Sequence, residues 1–366
     1  MLHPPSRHLR LSTRPKFVSP LPGTCGKFAT LLVLQSGYTL HLRYISLPTN
    51  PQLEHTIHTP LDFHGVGLHS GAAVSMRLVP APAGSGIVFR RSDLDNFEIP
   101  ATGRNVARVS YATSLMRQGV LIQTTEHLLS ALIGLGVDNI IVEIDNLEVP
   151  ILDGSSLPYV SAILASGLKR QRRKREYIRI LKPVEVRENS PCGEKFIGVY
   201  PGDGYSIHYS IDFPEPIGHD TFSGDLEAGA YANLIAPART FGFKEDEAML
   251  RDMGLIRGVS DDSAIIVTRT TPAQIGTVLN GPLRFPDEFV RHKVLDLIGD
   301  LALAGRRIWG RVVAERAGHA MHTALVQKLL HDRSAWELTH RTEASSIAED
   351  SSANSPALAA LHSLHA

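Results

Sequence analysis

Hydrophobic and polar residues in the segment 289–301 recur with the period of an α-helix that buries one face. The apolar positions of this pattern are Val294, Leu295, Leu297, Ile298 and Leu301. No proline interrupts the segment, and its first glycine is Gly299. We therefore predict a helix here, on which His292 and Asp296 leave the same face one turn apart.

Two kinds of pattern organise the rest of the chain from about residue 54. Alternating apolar and polar positions, clearest at 73–78, predict strands, and helical spacing predicts helices. The other predicted strands are 87–90, 120–122, 139–144, 177–181, 205–213 and 308–315. The other predicted helices are 126–133, 157–166 and 319–330. A glycine-rich stretch, 65–71, is predicted to form a turn between strands.

The segments 126–134 and 291–299 are similar to each other. Each has histidine as its second residue and glycine as its ninth, and a predicted strand follows each segment. A duplicated unit of strands and helices would place His127 and His292 at equivalent points, facing each other across an interface. The alternative is a chance similarity over nine positions.

Length and composition bound the class of protein. The chain has 366 residues, enough for two domains, with 43% hydrophobic and 20% charged residues and a formal net charge of zero. This balance is typical of a globular protein and argues neither for nor against a nucleic-acid partner. The only cysteines are Cys25 and Cys192. A disulfide framework and a cysteine-based zinc site are therefore excluded, and any metal must be held by histidines and carboxylates.

Charge is unevenly distributed along the chain, because residues 1–53 contain no acidic residue. Their basic residues are Arg7, Arg10, Arg14, Lys16, Lys27 and Arg43. Such a leader is similar to an organelle transit peptide, or it is upstream sequence translated from a start codon assigned too early. We expect it to be disordered and outside the fold. No apolar run approaches the ~20 residues that span a bilayer, so no transmembrane segment is expected.

A second basic run, 169–175, is predicted to be a solvated linker between two domains. Contact with anionic lipid headgroups or with a nucleotide is the alternative for this run. The predicted organisation is a leader (1–53), an N-terminal domain (54–168), a basic linker (169–176), a C-terminal domain (177–340) and a loose tail (341–366).

Four polar residues could form a metal site. The spacing of His292 and Asp296 is that by which one helix supplies two ligands to one metal ion; the alternative is an ordinary polar pair on a solvated face. His127 would supply the third ligand that a zinc hydrolase needs, and Glu126 beside it could take a proton from water at the metal. The alternative for these two neighbours is a glutamate favoured by the helix dipole and a histidine on an amphipathic face.

Two further residues could complete such a site. His319 begins the predicted C-terminal helix after Gly318, which lets the backbone come close; the alternative is a helix-start residue without a role. Asp300 lies eight residues after His292 on the same stripe, where it could orient one of the histidines.

Six motifs occur together and in order along the chain. They are GVGLHSG at 65–71, TEHL at 125–128, VPILDGS at 149–155, ARTFGF at 238–243, RHKVLDLIGD at 291–300 and GH at 318–319. With them the chain resembles, over about 54–338, the UDP-3-O-acyl-N-acetylglucosamine deacetylase family, zinc amidases that commit carbon to lipid A. Six motifs in register are far more specific than any one of them.

The resemblance implies an α+β fold of two similar layered sheet-and-helix domains, a duplicated unit, with the active site between them. It implies one catalytic Zn²⁺ per chain, with Fe²⁺ as the alternative in the cell. His127, His292 and Asp296 would hold this ion, and Glu126 would be the general base.

The resemblance also implies how the other polar groups take part in amide hydrolysis. His319 would protonate the leaving amine, with Asp300 behind it. Thr240 would donate to the oxyanion formed at the acetyl carbonyl, and Lys293 would lie at the same site. Two proton-handling side chains are expected because an amide anion is a very poor leaving group.

The implied substrate is a UDP-linked acylated amino sugar, whose N-acetyl group is removed to leave a free amine and acetate. The candidate substrate-binding residues are Phe241, His69 and Arg316. Arg316 could meet the UDP diphosphate, and its alternative is a surface cation.

An insert in the second domain, about 239–267, would form an apolar passage for the acyl chain. Its candidate lining residues are Phe241, Phe243, Met249, Leu250, Leu255 and Ile256, for which plain core is the alternative. Val259 and Asp261 stand where the family usually shows glycine and an apolar residue. This departure affects the expected shape of the passage and the acyl length, but not the chemistry.

The implied enzyme is a monomer of the bacterial cytoplasm, with no nucleic-acid partner and at most peripheral membrane contact. Two other classes stay open: a catalytically silent binding protein on the same scaffold, and a different zinc hydrolase such as a peptidase. A silent relative would have little reason to retain every ligand and both proton-transfer residues. The absence of an H-E-x-x-H motif disfavours a peptidase.

Overall fold

Residues 52–341, except 108, 110, 192 and 227, are described by the computed structural model of the chain. The predicted leader up to residue 51 and the predicted tail from residue 342 lie outside these described residues. The strands are β1 (Leu53–Ile57), β2 (Leu61–Val66), β3 (Ala73–Pro80), β4 (Ile87–Arg91), β5 (Phe97–Pro100), β6 (Leu115–Arg117), β7 (Val120–Ile122), β8 (Ile140–Ile144), β9 (Leu168–Lys174), β10 (Tyr177–Ile180), β11 (Val184–Ser190), β12 (Gly193–Tyr200), β13 (Tyr205–Asp212), β14 (His219–Asp225), β15 (Phe241–Phe243), β16 (Ile265–Val267), β17 (Arg307–Glu315) and β18 (Trp336–Thr339). The α-helices are α1 (Glu126–Leu135), α2 (Leu157–Ser166), α3 (Ala228–Leu234), α4 (Glu247–Asp252), α5 (Glu288–Leu301) and α6 (His319–His331).

The N-terminal half forms a five-stranded sheet in the order β2-β3-β8-β4-β5. Its central strand, β8, runs antiparallel to β3 and parallel to β4. On β3 the buried residues Val74, Met76 and Leu78 alternate with exposed ones, because successive strand side chains point to opposite faces. Helix α1 precedes β8 and α2 follows it, and the two helices pack against each other.

The C-terminal half repeats this strand order. Its sheet runs β11-β12-β17-β13-β14, and the central strand β17 is again antiparallel to one neighbour (β12) and parallel to the other (β13). Strands β10 and β18 extend the sheet beside the start of β17. Helix α5 precedes the central strand and α6 follows it. The predicted α+β class is confirmed, and the common strand order is what the predicted duplication would produce.

The two halves meet where α1 packs against α5. The two helices approach closely at Gly299, where an added Cβ atom would collide with the backbone carbonyl of Glu126. A larger residue there would therefore push the helices apart. Since His127 is the next residue on α1 and His292 lies two turns before Gly299 on α5, this crossing brings the two histidines to one interface.

No helix among the described residues combines the length and the apolar character needed to cross a membrane.

The predicted linker is instead a strand, which corrects the sequence interpretation. Residues Leu168–Lys174 form β9, which pairs antiparallel with β1. Most cationic side chains of β9 face solvent as expected, but Gln171 accepts a hydrogen bond of 2.8 Å from the Asn139 amide, and Arg175 just after the strand is buried. A run of charges does not report this pairing, because it depends on a partner strand far away in sequence. The domain boundaries themselves stay a prediction.

A buried histidine on β1 predicts how stability depends on pH. His55 is 3% exposed, and burial, followed by the charge of the nearby Arg175 guanidinium, lowers its pKa to about 4. Below about pH 6.5 the unfolded chain protonates His55 while the folded chain does not, so stability falls as pH falls from about 6.5 to about 4. We expect His55→Gln to reduce this loss, measured as the free energy of unfolding in urea at about pH 7 and pH 5.

The control for this prediction is His58→Gln, because His58 is exposed just beyond the same strand. This variant should keep the wild-type dependence of stability on pH. If His55→Gln also kept that dependence, the folded state would not be excluding a proton from His55.

Candidate active site

Three buried side chains from α1 and α5 converge at the interface between the two halves. The Nε2 atoms of His127 and His292 lie 3.5 and 3.4 Å from the same oxygen, Asp296 Oδ1. The two imidazole rings stand 5.0 Å apart, centre to centre, at an interplanar angle of 89°. One potential ligand atom from each residue lies within 4.8 Å of the other two. The structure thus brings together the three residues that the sequence suggested as metal ligands.

The hydrogen bonds around this cluster fit a bound metal ion. His292 Nδ1 donates to the Ala238 carbonyl at 3.1 Å, which turns its Nε2 lone pair toward Asp296. Burial lowers the pKa of His292 to about 3, which keeps the imidazole neutral, as a metal ligand must be. Among the described residues, neither His127 Nδ1 nor Asp296 Oδ1 has a hydrogen-bond partner. Two imidazoles and a carboxylate with an unpaired buried oxygen suit a divalent ion such as zinc.

Glu126 lies directly before His127 at the start of α1. Its Oε2 accepts a hydrogen bond of 3.0 Å from the Thr113 backbone N–H, and its Oε1 lies 3.9 Å from His319 Nε2. Burial raises the pKa of Glu126 to about 7, against the opposing charges of His319 and His127. A carboxylate tuned in this way can accept a proton near neutral pH.

His319 begins α6 and lies beside both Glu126 and Asp296. Its Nδ1–H donates to Asp300 Oδ2 at 2.8 Å, while its Nε2 lies 3.7 Å from Asp296 Oδ2. Burial by itself lowers the pKa of His319, but the carboxylates of Asp300, Asp296 and Glu126 outweigh it and raise the pKa to about 9. The imidazole therefore carries a proton at neutral pH that its Nε2 can donate.

Lys293 belongs to the same cluster. Its Nζ donates to Asp296 Oδ2 at 2.6 Å. The ammonium thus binds one carboxylate oxygen, and the other oxygen, Oδ1, faces the two histidines. Burial favours the neutral form of Asp296, but His292 and Lys293 outweigh it and hold the pKa of Asp296 well below its usual value. Asp296 is therefore ionised at neutral pH.

A cavity of about 410 Å³ contains the candidate residues His69, Thr240 and Phe241 in its lining. The predicted insert builds part of its wall with α4 and the parallel pair β15–β16. Four of the six predicted apolar residues line it, namely Phe241, Phe243, Leu250 and Ile256. Met249 is 50% exposed and Leu255 is half-buried. The two departures from the family pattern, Val259 and Asp261, both line the cavity.

The proposed substrate residues differ in their distance from the cluster. The Phe241 ring lies 6.2 Å from the His292 ring, centre to centre, so it adjoins the cluster directly. Thr240, one residue earlier, is held by its N–H, which donates to the Gly154 carbonyl at 2.8 Å. Arg316, just after β17, instead donates to the Glu194 carbonyl on β12 and lies 3.8 Å from Asp212 on β13. Its role toward the diphosphate stays a prediction.

Two buried residues of the site were not predicted from the sequence. The Thr113 hydroxyl donates to Asp300 Oδ1 at 2.5 Å, and His322 Nδ1–H donates to Asp300 Oδ2 at 2.8 Å. His322 follows His319 by three residues on α6, so helical spacing could have indicated it. Thr113 lies in a loop, and no spacing rule connects it to Asp300.

A buried set of two histidines and one carboxylate, beside a proton acceptor and a protonated imidazole, defines a metal-dependent hydrolase. Comparison with protein families specifies the class further. The chain belongs to the family described as LpxC, UDP-3-O-acyl N-acetylglycosamine deacetylase, whose model matches residues 54–331.

Curated relatives agree with this assignment over most of their length. The chain is 50% identical over 288 residues to the UDP-3-O-acyl-N-acetylglucosamine deacetylase of Solibacter usitatus (strain Ellin6076), a match covering 78% of this chain and 94% of the relative. It is 43% identical over 288 residues to the protein of the same name from Myxococcus xanthus (strain DK1622), covering 78% and 88%. The protein of the same name from Idiomarina loihiensis is 41% identical over 290 residues, a match covering 78% of this chain and 92% of that protein. The resemblance stated from the sequence is thereby confirmed.

Proposed function

We propose that this protein hydrolyses the N-acetyl group of a UDP-3-O-acyl-N-acetylglucosamine, which gives a free glucosamine amine and acetate at the committed step of lipid A biosynthesis. Membership of the deacetylase family supports the reaction. The observation that carries the proposal is the meeting of His127, His292 and Asp296 from two helices, with Glu126 and His319 beside them. The proposal includes a monomeric enzyme acting in the bacterial cytoplasm.

The metal is proposed to be one Zn²⁺ per chain, with Fe²⁺ as the alternative in the cell. His127, His292 and Asp296 would hold it. When bound, such an ion lowers the pKa of a coordinated water from ~16 toward ~7 and polarises a carbonyl oxygen.

Glu126 is the proposed general base for the attacking water. Its carboxylate is buried, its pKa lies near 7, and Oε2 is held by the Thr113 N–H, so Oε1 is left to take the proton. Attack on the acetyl carbon places negative charge on the carbonyl oxygen. The Thr240 hydroxyl is proposed to donate to this oxygen, and the Lys293 ammonium adds positive charge at the same site.

His319 is the proposed proton donor to the leaving nitrogen. Its Nε2–H faces Glu126 and Asp296, while its Nδ1–H is held by Asp300. As the C–N bond breaks, the Nε2 proton passes to nitrogen, and the products are a neutral amine and acetic acid, which ionises to acetate. This transfer is needed because the amide anion would otherwise be the leaving group.

The cavity beside the cluster is the proposed place for the acyl chain. Its apolar residues Phe241, Phe243, Leu250 and Ile256 offer the surface that a hydrocarbon chain would bury. Val259 and Asp261 contribute to the same wall and are proposed to affect which acyl lengths fit. His69 and Arg316 remain candidate substrate-binding residues.

The reaction is tested by incubating the purified protein with a UDP-3-O-acyl-N-acetylglucosamine and measuring acetate release and the loss of the acetyl group by mass spectrometry. UDP-N-acetylglucosamine without the 3-O-acyl chain is the matched control substrate, and it should be turned over much more slowly. A lack of acetate from the acylated substrate with metal-loaded protein would contradict the proposed function.

His319→Ala should retain metal but lose about 10²- to 10⁴-fold in kcat, the usual contribution of a positioned acid or base. Metal content and kcat on the acylated substrate are measured on the same preparation. The control is His331→Ala, at the exposed C-terminal end of the same helix, which should stay close to wild type. Wild-type turnover in His319→Ala would remove His319 as the proton donor.

A further inference from the structure

The Asp300 carboxylate receives more hydrogen bonds than are needed to orient His319 alone. Asp300 is fully buried on α5. Its Oδ1 accepts from the Thr113 hydroxyl at 2.5 Å, and its Oδ2 accepts from the Nδ1–H groups of both His319 and His322 at 2.8 Å. Three donors, one from the loop before β6 and two from α6, therefore fix one carboxylate. We call Thr113 and His322, with the carboxylate they hold, the Asp300 clamp.

Thr113 connects this carboxylate to the start of α1. Its backbone N–H donates to Glu126 Oε2 at 3.0 Å, and its hydroxyl oxygen lies 3.3 Å from His319 Nδ1. Its own carbonyl accepts bonds from both the backbone N–H and the hydroxyl of Thr125, each at 3.2 Å. One threonine thus contacts Glu126, Asp300 and His319.

His322 holds the other side of the carboxylate. It is fully buried one turn after His319 on α6, and its Nε2 lies 3.1 Å from the Tyr209 hydroxyl. That hydroxyl donates to the Ala317 carbonyl at 2.7 Å, so strand β13 fixes the far edge of the imidazole. The ring of His322 therefore cannot rotate away from Asp300 without breaking a second contact.

We propose that Thr113 and His322 are positioning residues for the deacetylation, because they fix the plane of the Asp300 carboxylate and so direct His319 Nε2 into the space between Glu126 and Asp296. The inference rests on the proposed function. A carboxylate bonded to one histidine alone can turn about its Cβ–Cγ bond, and the histidine turns with it. Donors at both oxygens remove this freedom, which matters because small displacements of a proton donor reduce its contribution to rate.

The paired variants Thr113→Val and Thr113→Ser isolate the hydroxyl. Valine keeps the shape and the backbone N–H to Glu126 but removes the donor to Asp300, whereas serine restores a donor. We expect kcat to fall by about 10- to 100-fold in Thr113→Val with KM nearly unchanged, the size expected for one hydrogen bond to a buried charge. Thr113→Ser should recover most of kcat, and metal content should be the same in both.

His322 is tested with the pair His322→Phe and His322→Asn. Phenylalanine keeps an aromatic ring but removes the donor to Asp300 and the polar contact with the Tyr209 hydroxyl, so kcat should fall by a similar factor of about 10 to 100. Asparagine retains an N–H donor that can reach Asp300 and should recover part of the loss. The control for threonine substitution is Thr323→Val, because within the described part of the chain the Thr323 hydroxyl donates to the backbone carbonyls of His319 and Ala320, at 2.9 and 3.1 Å, and to no side chain.

A second readout does not depend on activity. The Nδ1 protons of His319 and His322 bonded to a buried carboxylate should appear as downfield ¹H resonances in metal-free protein, assignable with ¹⁵N-histidine labelling. Thr113→Val should shift the His319 resonance, and Thr323→Val should leave it in place. Unchanged kcat and unchanged resonances in Thr113→Val would overturn the proposal, as would equal losses in the valine and serine variants. Wild-type protein that released no acetate would contradict the proposed function, while the resonances would still test the clamp.

Discussion

Replacing His292 with alanine should give a folded protein that retains no stoichiometric metal and has lost more than about 1,000-fold in deacetylation, since metal chemistry contributes several kcal/mol to such reactions. The substitution would leave His127 and Asp296 of the three proposed ligands, and Asp296 Oδ1 would lose its contact with the His292 imidazole. Metal content after dialysis, measured by plasma mass spectrometry, and acetate release on the acylated substrate check the result together.

Folding of His292→Ala has to be verified, because the histidine is fully buried and also donates to the Ala238 carbonyl. Thermal unfolding followed by circular dichroism separates a loss of metal from a loss of fold. The matched control is His64→Ala, since His64 is an exposed histidine on β2 and should keep both metal and turnover. A folded His292→Ala protein with one bound metal and normal turnover would contradict the ligand set.

Glu126→Gln should differ from His292→Ala in its metal content, because it should retain the metal while kcat falls by about 10²- to 10⁴-fold. Glutamine keeps the shape of the side chain, and its carbonyl oxygen can still accept the bond from the Thr113 N–H. It cannot take a proton from water. Metal analysis and kcat, measured on one preparation, distinguish this outcome from the loss of metal expected for His292→Ala.

The control for Glu126→Gln is Glu143→Gln, on strand β8, where the glutamate pairs with Arg90 at 3.1 Å. This variant should retain normal kcat, because its side chain belongs to a surface ion pair. Full activity in Glu126→Gln would assign the base to another group and would leave the raised pKa of Glu126 without a catalytic role.

The part of the site predicted best from the sequence is the part built on regular helices. Helical spacing places His292 and Asp296 on one face of α5, and the structure has both side chains on the same face, 3.4 Å apart. The similarity of 126–134 to 291–299 places His127 opposite His292, and their rings are 5.0 Å apart. Periodicity works here because a helix fixes the relative positions of residues four apart without any information from the rest of the chain.

The contacts that could not be predicted are those between elements far apart in sequence. Thr113 reaches Asp300 across 187 positions from a loop without periodic pattern. The charged run that forms β9 pairs with β1 across more than a hundred residues, and its surface charges conceal the strand. Arg316 lies close to His319 in the chain, yet its side chain bonds to Glu194 on a neighbouring strand. The local sequence pattern gives no information about contacts between residues so far apart in the chain.

In the overall fold, as in the site, local elements were predictable from the sequence and long-range strand pairing was not. The alternating segments predicted as β3, β13 and β17 are strands in the structure, because one face of each is buried. The two sheets share one strand order, in which the central strand is antiparallel to one neighbour and parallel to the other. This order depends on long-range strand pairing, so the alternation of apolar and polar residues could not predict it. Only the helix similarity indicated that the two halves correspond.

We propose that one divalent ion, held by His127, His292 and Asp296, is required for removal of the N-acetyl group. The most direct measurement is acetate release from the UDP-linked acylated substrate by protein stripped with a chelator and then titrated with Zn²⁺. We expect no turnover in the stripped protein and full recovery of turnover at about one Zn²⁺ per chain. Undiminished turnover by protein shown to contain no metal would contradict it.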